Sequence, residues 1–510
     1  MKNRVDPLCG PVDGRIERGV AVFRGIPFAE PPVGPLRFAP PVAAAPWAAP
    51  LDAGRFGPIS IQDADPLFQA VPPTERNFFH EGAVTGEDCL TLNVWSPDVH
   101  GAAPVLVWIH GGAFQFGSGT GEWTVGASLA RAHGIVVVTL NYRLGVLGGL
   151  YLGDLDPGRS NLALQDQICA LRWVAANIAA FGGDPGRVTV GGQSAGAMST
   201  VALLAAPAAR GLFRRAVVQS GHAAIFPSPE AARAGTARVL AGLHIDPDGD
   251  VLAELRAASA LRIAAVQRGL GPVPVTPLVR DGVTLDADPV AAIRGGSAAG
   301  VDLMIGTTVA ESRLFEVTGW STAPGSLDAV LGGLLVDAGA RAEAKALYEG
   351  LPGSPEDQAY RALTDHDWTQ PARAVADAQT QAGGRVFRYL FAWPSSARDG
   401  RVGAAHLVDL PFLLGNLDAP GAGALLGPLD QAALELGAAM STALARFVTD
   451  GDPGGGAPGP WDPYTPAARA TMLFDTAPGQ APDPDGHYVD FWQAHRAVST
   501  EPLAALVAGA

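Results

Sequence analysis

Val188-Thr-Val190-Gly191-Gly192-Gln193-Ser194-Ala195-Gly196, leading into the apolar, Ala-rich residues 198–206, decides the fold. The β-branched run reads as a strand and the Ala-rich run as a helix. Between them stands the chain's G-x-S-x-G sequence, centred on Ser194. A serine at a sharp strand-to-helix turn is lifted off the edge of a sheet. Glycines two positions to either side let strand and helix pack closely around it. The following helix N-terminus favours negative charge developing beside the hydroxyl. Ser194 is therefore the candidate nucleophile.

The same alternation recurs outward from this turn. Val105-Leu-Val-Trp-Ile109 leads into His110-Gly-Gly-Ala-Phe114, and Ile135-Val-Val-Val-Thr-Leu140 into Asn141-Tyr-Arg143. Residues 216–218, 303–305 and 386–393 add further apolar runs, and residues 162–181, ending at Gly182-Gly183, read as a crossover helix. Near-continuous apolar strands are those covered on both faces, so the fold class is α/β, with a mainly parallel sheet between helices. Length alone would allow about three domains. The candidate site motifs are spread too widely for that, and a single unit over 1–510 is expected. Excursions over about 60–87, 228–300 and 315–385 read as cap or lid elements.

A nucleophilic serine needs a base, an acid to orient it and donors for an oxyanion. Small residues after the strand at 105–109 let backbone N–H groups approach a substrate oxygen, which makes the amides of Gly112, Ala113 and Ala195 the candidate oxyanion hole. The acid and the histidine should follow the serine in that order. His244, His487 and His495 sit in polar surroundings, His222 follows Ser194 too soon, and His366 lies in a charged Asp365-His-Asp367 cluster that reads as a surface helix start. His406, ahead of an apolar stretch, is the best base. Glu311, just beyond the strand at 303–305, is the best acid, ahead of Asp302 at the strand's other end and Asp409 close to His406.

Composition excludes several classes. Charged residues are 17% of the chain and the net charge is −15, with no basic cluster for a nucleic-acid backbone. No apolar run is long enough to cross a bilayer, and no h-region follows the N-terminus. Three cysteines cannot build a disulfide framework. A cytoplasmic protein, monomeric or homodimeric, is the expectation. The string at residues 454–459 satisfies G-x-G-x-x-G but lacks a preceding strand, and neither H-E-x-x-H nor C-x-x-C occurs. No cofactor and no metal are expected.

Longer blocks carry a resemblance. They include Val22-Phe-Arg-Gly-Ile-Pro-Phe-Ala-Glu-Pro-Pro-Val-Gly-Pro-Leu-Arg-Phe38, Glu87-Asp-Cys-Leu-Thr-Leu-Asn-Val-Trp95, residues 110–117, 161–184, the Ser194 motif, the Glu311 and His406 segments, and Trp461-Asp-Pro-Tyr464. Together they resemble the type-B carboxylesterases, the branch of the α/β-hydrolase fold that includes cholinesterases and p-nitrobenzyl esterases. The resemblance implies a Ser194–His406–Glu311 triad acting on a small-molecule ester, with carbamate, amide or specialised-ester hydrolysis as the alternative and a non-catalytic binding protein as a remote one. It implies an ion pair between Arg37 and Glu87, and a supporting hydrogen bond from Ser220. Gln193 stands where the family often has Glu, which disfavours cationic substrates. Ser60 stands where secreted relatives have the disulfide partner of Cys89. Phe226, Leu314 and Phe315 are candidate pocket walls, and Phe68, Phe78 and Phe79 a candidate gorge rim.

Overall fold

A computed structural model describes residues 2–62, 83–271, 275, 277–286, 288–319 and 323–495. The N-terminal part forms β1 (Lys2–Val5), β2 (Val12–Glu17), β3 (Val20–Pro27), the short β4 (Leu51–Asp52) and β5 (Thr91–Ser96). Then follow β6 (Ala103–Ile109), β7 (Val136–Leu140), β8 (Gly183–Gln193), β9 (Arg215–Gln219), β10 (Asp302–Thr308), β11 (Val386–Phe391), β12 (Ala470–Phe474) and β13 (Gly479–Pro482). All belong to one sheet in the order β1-β2-β3-β5-β7-β6-β8-β9-β10-β11-β12-β13, with β4 beside β2. From β7 through β12 neighbouring strands run parallel. The flanking strands pair antiparallel, except the short β4, which runs parallel to β2.

The apolar runs are continuous because alternate residues feed two cores. Val105, Val107 and Ile109 of β6 join one hydrophobic cluster with the helices Leu162–Asn177 and Ala195–Ala205. Leu106 and Trp108 of the same strand join another, packed by the helix Gln431–Asp450. Each buried aliphatic or aromatic side chain contributes about 1.5–3 kcal/mol, so a strand apolar on both faces is stable only with both faces covered. The crossover helix is α-helical over Leu162–Asn177 and tightens into a 3-10 turn over Ile178–Phe181. Gly182 ends it at φ 80°, where a Cβ would lie 1.8 Å from the Asp98 carbonyl.

The two later excursions are helical, while residues 63–82 of the first lie outside the described residues. One holds Pro229–Gly242, Val251–Ala257, Ala260–Gly269 and Pro289–Arg294, whose N-termini are capped by the side chains of Ser228, Asp250, Ser259 and Asp288. The other holds Leu327–Leu334, Ala338–Glu349, Pro355–Thr364 and Gln370–Gln381. Its outer helices share a separate apolar cluster with Phe491 and Trp492. Among the described residues no helix is long and apolar enough to cross a membrane.

The strand order reverses at β6, which lies between β7 and β8. In open α/β sheets the crevice beyond the strand ends at such a point is where ligands bind. The His110 loop leaves β6 and Ser194 leaves β8 there, with Ile109 and Gly192 as register partners.

Candidate active site

Ser194 sits between the last residue of β8 and the first of the helix Ala195–Ala205, at φ 57° and ψ −124°. That conformation is strained for any residue with a side chain, and the surroundings enforce it. Its N–H donates to the Gln219 carbonyl at 2.9 Å. A Cβ on Gly196 would come within 2.0 Å of the Ile109 carbonyl oxygen, and one on Gly192 within 2.4 Å of the Gly196 backbone. Both glycines are therefore required by close approach of backbone, as the motif predicts.

Glu311 and His406 come together from loops beyond β10 and β11. An isolated bridge pairs Ala310 with Ala405, and the His406 N–H donates to the Glu311 carbonyl at 3.3 Å. Glu311 Oε2 lies 2.5 Å from His406 Nδ1. The other carboxylate oxygen accepts from Ser220 Oγ at 2.6 Å and from the Thr308 N–H at 2.8 Å. Both acid and ring are buried. Acceptance at Glu311 assigns the proton to Nδ1 and leaves a lone pair on Nε2. That lone pair faces Gln193 Nε2 at 3.0 Å. The Ser194 hydroxyl makes no hydrogen bond among the described residues.

The loop after β6 lies against the serine: a Cβ on Gly111 would be 3.2 Å from Ser194 Cβ. Gly112, Ala113 and Phe114 all have positive φ, at 109°, 51° and 61°. Among the described residues the N–H groups of Gly112, Ala113 and Ala195 make no backbone hydrogen bond. The loop is held from both sides. His110 stacks on Tyr142 at 4.4 Å, and the Tyr142 hydroxyl donates to the His110 carbonyl at 2.9 Å. Gln62 exchanges two hydrogen bonds with the Gly117 backbone.

Phe315 is half-buried, with its ring 5.6 Å from that of His406. Leu314 and Phe226 are buried within core clusters. Phe68, Phe78 and Phe79 lie outside the described residues. Trp368, which the sequence did not single out, has its ring 4.7 Å from His406 and stacks on Phe315. It also meets His222 at 5.4 Å. Trp368 is delivered by a π-helical turn, Asp365–Thr369, and such turns are frequent at functional sites.

The expectation that the Asp365-His-Asp367 cluster marks a surface helix start is corrected here. His366 is buried with Nδ1 2.6 Å from Asp367 Oδ1, and Asp365 accepts from Arg361 at 2.8 Å and Tyr348 at 3.1 Å. Internal pairing, which charge in the sequence does not reveal, is what permits the burial.

The other candidate acids are occupied elsewhere. Asp302 pairs with Arg385 at 2.6 Å, and Asp409 accepts from the Tyr389 hydroxyl at 3.2 Å. Arg37 and Glu87 form a bidentate pair at 2.5 and 2.7 Å. The same guanidinium donates to the carbonyls of Arg256 and Ala258, tying the N-terminal region to the first excursion. Cys89 is a free, buried thiol whose pKa is pushed up to about 12, chiefly by burial, with the nearby Ser60 hydroxyl acting the other way. Ser60 Oγ in turn accepts from the Leu144 N–H at 3.1 Å.

This fold and site define an α/β-hydrolase of the carboxylesterase class. Residues 2–492 match the model of the carboxylesterase family, and the chain belongs to that family. It is 38% identical over 481 residues to the para-nitrobenzyl esterase of Bacillus subtilis, covering 92% of this chain and 94% of that protein. It is 34% identical to the phenmedipham hydrolase of Pseudarthrobacter oxydans, over 80% and 82% of the two chains. A carboxylesterase of Geobacillus stearothermophilus superposes with a TM-score of 0.84 at 36% identity, covering 96% of this chain and all of that one. The protein is a carboxylic ester hydrolase.

Proposed function

We propose that this esterase works through an acyl-enzyme on small to medium, largely uncharged esters. In this reading Ser194 is the nucleophile, His406 the base and Glu311 the group that orients it. Ser194 Oγ attacks the ester carbonyl while Nε2 of His406 takes its proton. The imidazolium is charge-balanced by Glu311 at Nδ1. The N–H groups of Gly112, Ala113 and Ala195 receive the oxyanion, and each such donor contributes about 10²–10³ in turnover. The imidazolium then protonates the leaving alcohol. Water repeats the sequence on the acyl-enzyme and releases the acid.

The observation that carries this reading is the 2.5 Å contact between Glu311 and His406, which leaves an Nε2 lone pair facing Gln193, the residue next to the strained Ser194. Gln193, a neutral residue, gives the site no carboxylate for a cationic alcohol, which supports uncharged substrates. Phe315 and Trp368 add an apolar wall beside the base. An organophosphorus fluoride should label Ser194 and no other serine and abolish p-nitrophenyl acetate turnover. Turnover that survives in Ser194→Ala, in protein that resists the label, would contradict the proposal.

A further inference from the structure

The Nε2 atom of His406 has one lone pair, which faces Gln193 in the structure and which the triad reading assigns to the Ser194 hydroxyl. Gln193 is the last residue of β8 and Ser194 the next in the chain. In the structure the lone pair faces Gln193, at 3.0 Å. Gln193 is 2% exposed, and its Oε1 lies where a Cβ on Gly111 would approach within 2.9 Å. The carboxamide thus fills the space between the candidate oxyanion loop and the base. A hydroxyl whose proton has no acceptor is an ordinary, weakly nucleophilic alcohol. Ser194 is in that condition while Gln193 holds the ring.

We propose that Gln193 is a latch on the base, a positioning residue that occupies Nε2 of His406 at rest and must turn aside before Ser194 is activated. The proposal rests on the triad reading above. No covalent bond changes in the latching step. In the latched arrangement Nδ1–H serves Glu311 and the Nε2 lone pair accepts from Gln193. In the released arrangement the same lone pair accepts from Ser194 Oγ–H. Once Nε2 is protonated it becomes a donor, and Gln193 can meet it only through Oε1, after a half-turn of the amide.

The titratable groups around the ring come from other elements. Glu311 stands at Nδ1, and Asp409 lies buried near both Glu311 and His406. His222 lies across the Trp368 ring, and His110 is in the loop after β6, stacked on Tyr142. Trp368 and Phe315 contribute uncharged faces.

The test compares wild type with Gln193→Met, which keeps the length and removes the donor, and with Gln193→Glu, which replaces the donor by an acceptor. Each is inactivated with paraoxon, a small neutral organophosphate, across the neutral pH range. Circular dichroism and thermal melting check the fold. Gln193→Met should be phosphorylated roughly twofold to thirteenfold faster on the alkaline plateau, the competition of one hydrogen bond. The acid limb of its rate profile should move to higher pH. Gln193→Glu should move that limb further, because a carboxylate favours the protonated ring. Variants that react at the wild-type rate with the wild-type profile, or more slowly with an unmoved limb, would overturn the latch. Wild type left unmodified at Ser194 would instead overturn the triad reading, and the latch with it.

Discussion

Ser220 is the residue whose contribution is most sharply isolated by its contacts. It donates to Glu311 Oε1 at 2.6 Å, and both residues are fully buried. A hydrogen bond to a charged group contributes about 1.5–3 kcal/mol, so Ser220→Ala should lower kcat/KM by roughly tenfold to a hundredfold. The loss should fall mainly on kcat, and steady-state kinetics with p-nitrophenyl acetate would show it. Asp409 gives a prediction in pH. Full burial, followed by the nearby Glu311 charge, pushes its carboxyl up to about 7. An acid raised in the folded state binds its proton more tightly there than in the unfolded chain. The stability it contributes is complete below the ordinary carboxylate value and is lost as pH rises through about 7. Relative to Asp409→Asn, wild type should lose stability across that window by up to roughly 4 kcal/mol. Denaturant midpoints of the two proteins at acidic and alkaline pH measure this, and a constant difference would contradict it. The strand-to-helix turn at Ser194 was legible because its motif is local, whereas the Glu311–His406 contact needed chain order and the family blocks. Trp368 was not legible at all: its contact with His406 exists only after a π-helical turn carries it there.

At the scale of elements, the strand–serine–helix turn depends on glycines that leave no room for a methyl group. Gly196→Ala would place a Cβ 2.0 Å from the Ile109 carbonyl, a backbone atom of the neighbouring strand that cannot yield cheaply. Little folded protein is expected from that variant, as judged by soluble yield and by a lowered melting temperature. A well-folded, fully active Gly196→Ala would show that the turn is more tolerant than its geometry implies. The parallel strands β6, β7, β8 and β11 were legible as apolar runs because both of their faces are covered. The antiparallel strands β1 and β2 were not read as strands from patterning. Lys2-Asn-Arg-Val5 and Val12-Asp-Gly-Arg-Ile-Glu17 are largely polar, and β2 runs out to exposed residues at its end. Residues 228–300 and 315–385 were legible as excursions from the sheet, yet what their inner turns press against was not.

Across the whole molecule, strands from Lys2 to Pro482 contribute to one sheet, and the candidate site draws on loops after β6, β8, β9, β10 and β11. That wiring is why the motifs are so widely spaced along the chain. Long-range noncovalent contacts, the Arg37–Glu87 pair among them, tie these segments together. Ser60 stands beside buried Cys89. Under oxidising conditions Ser60→Cys should close a loop to Cys89 and stabilise the protein by roughly 2–4 kcal/mol. The lost acceptor for the Leu144 N–H would offset about 1 kcal/mol of that. A melting temperature raised in the oxidised variant and returned by a thiol reductant is the expected result, and no response to the reductant would contradict it.

The central claim is that ester hydrolysis passes through Ser194, and peptide mapping of acid-quenched enzyme during p-nitrophenyl acetate turnover tests it most directly. The peptide containing Ser194 should carry an acetyl group at that residue, transiently and in the turning-over enzyme only. Steady turnover with no acetyl on Ser194, or with acetyl on a different serine, would contradict the account.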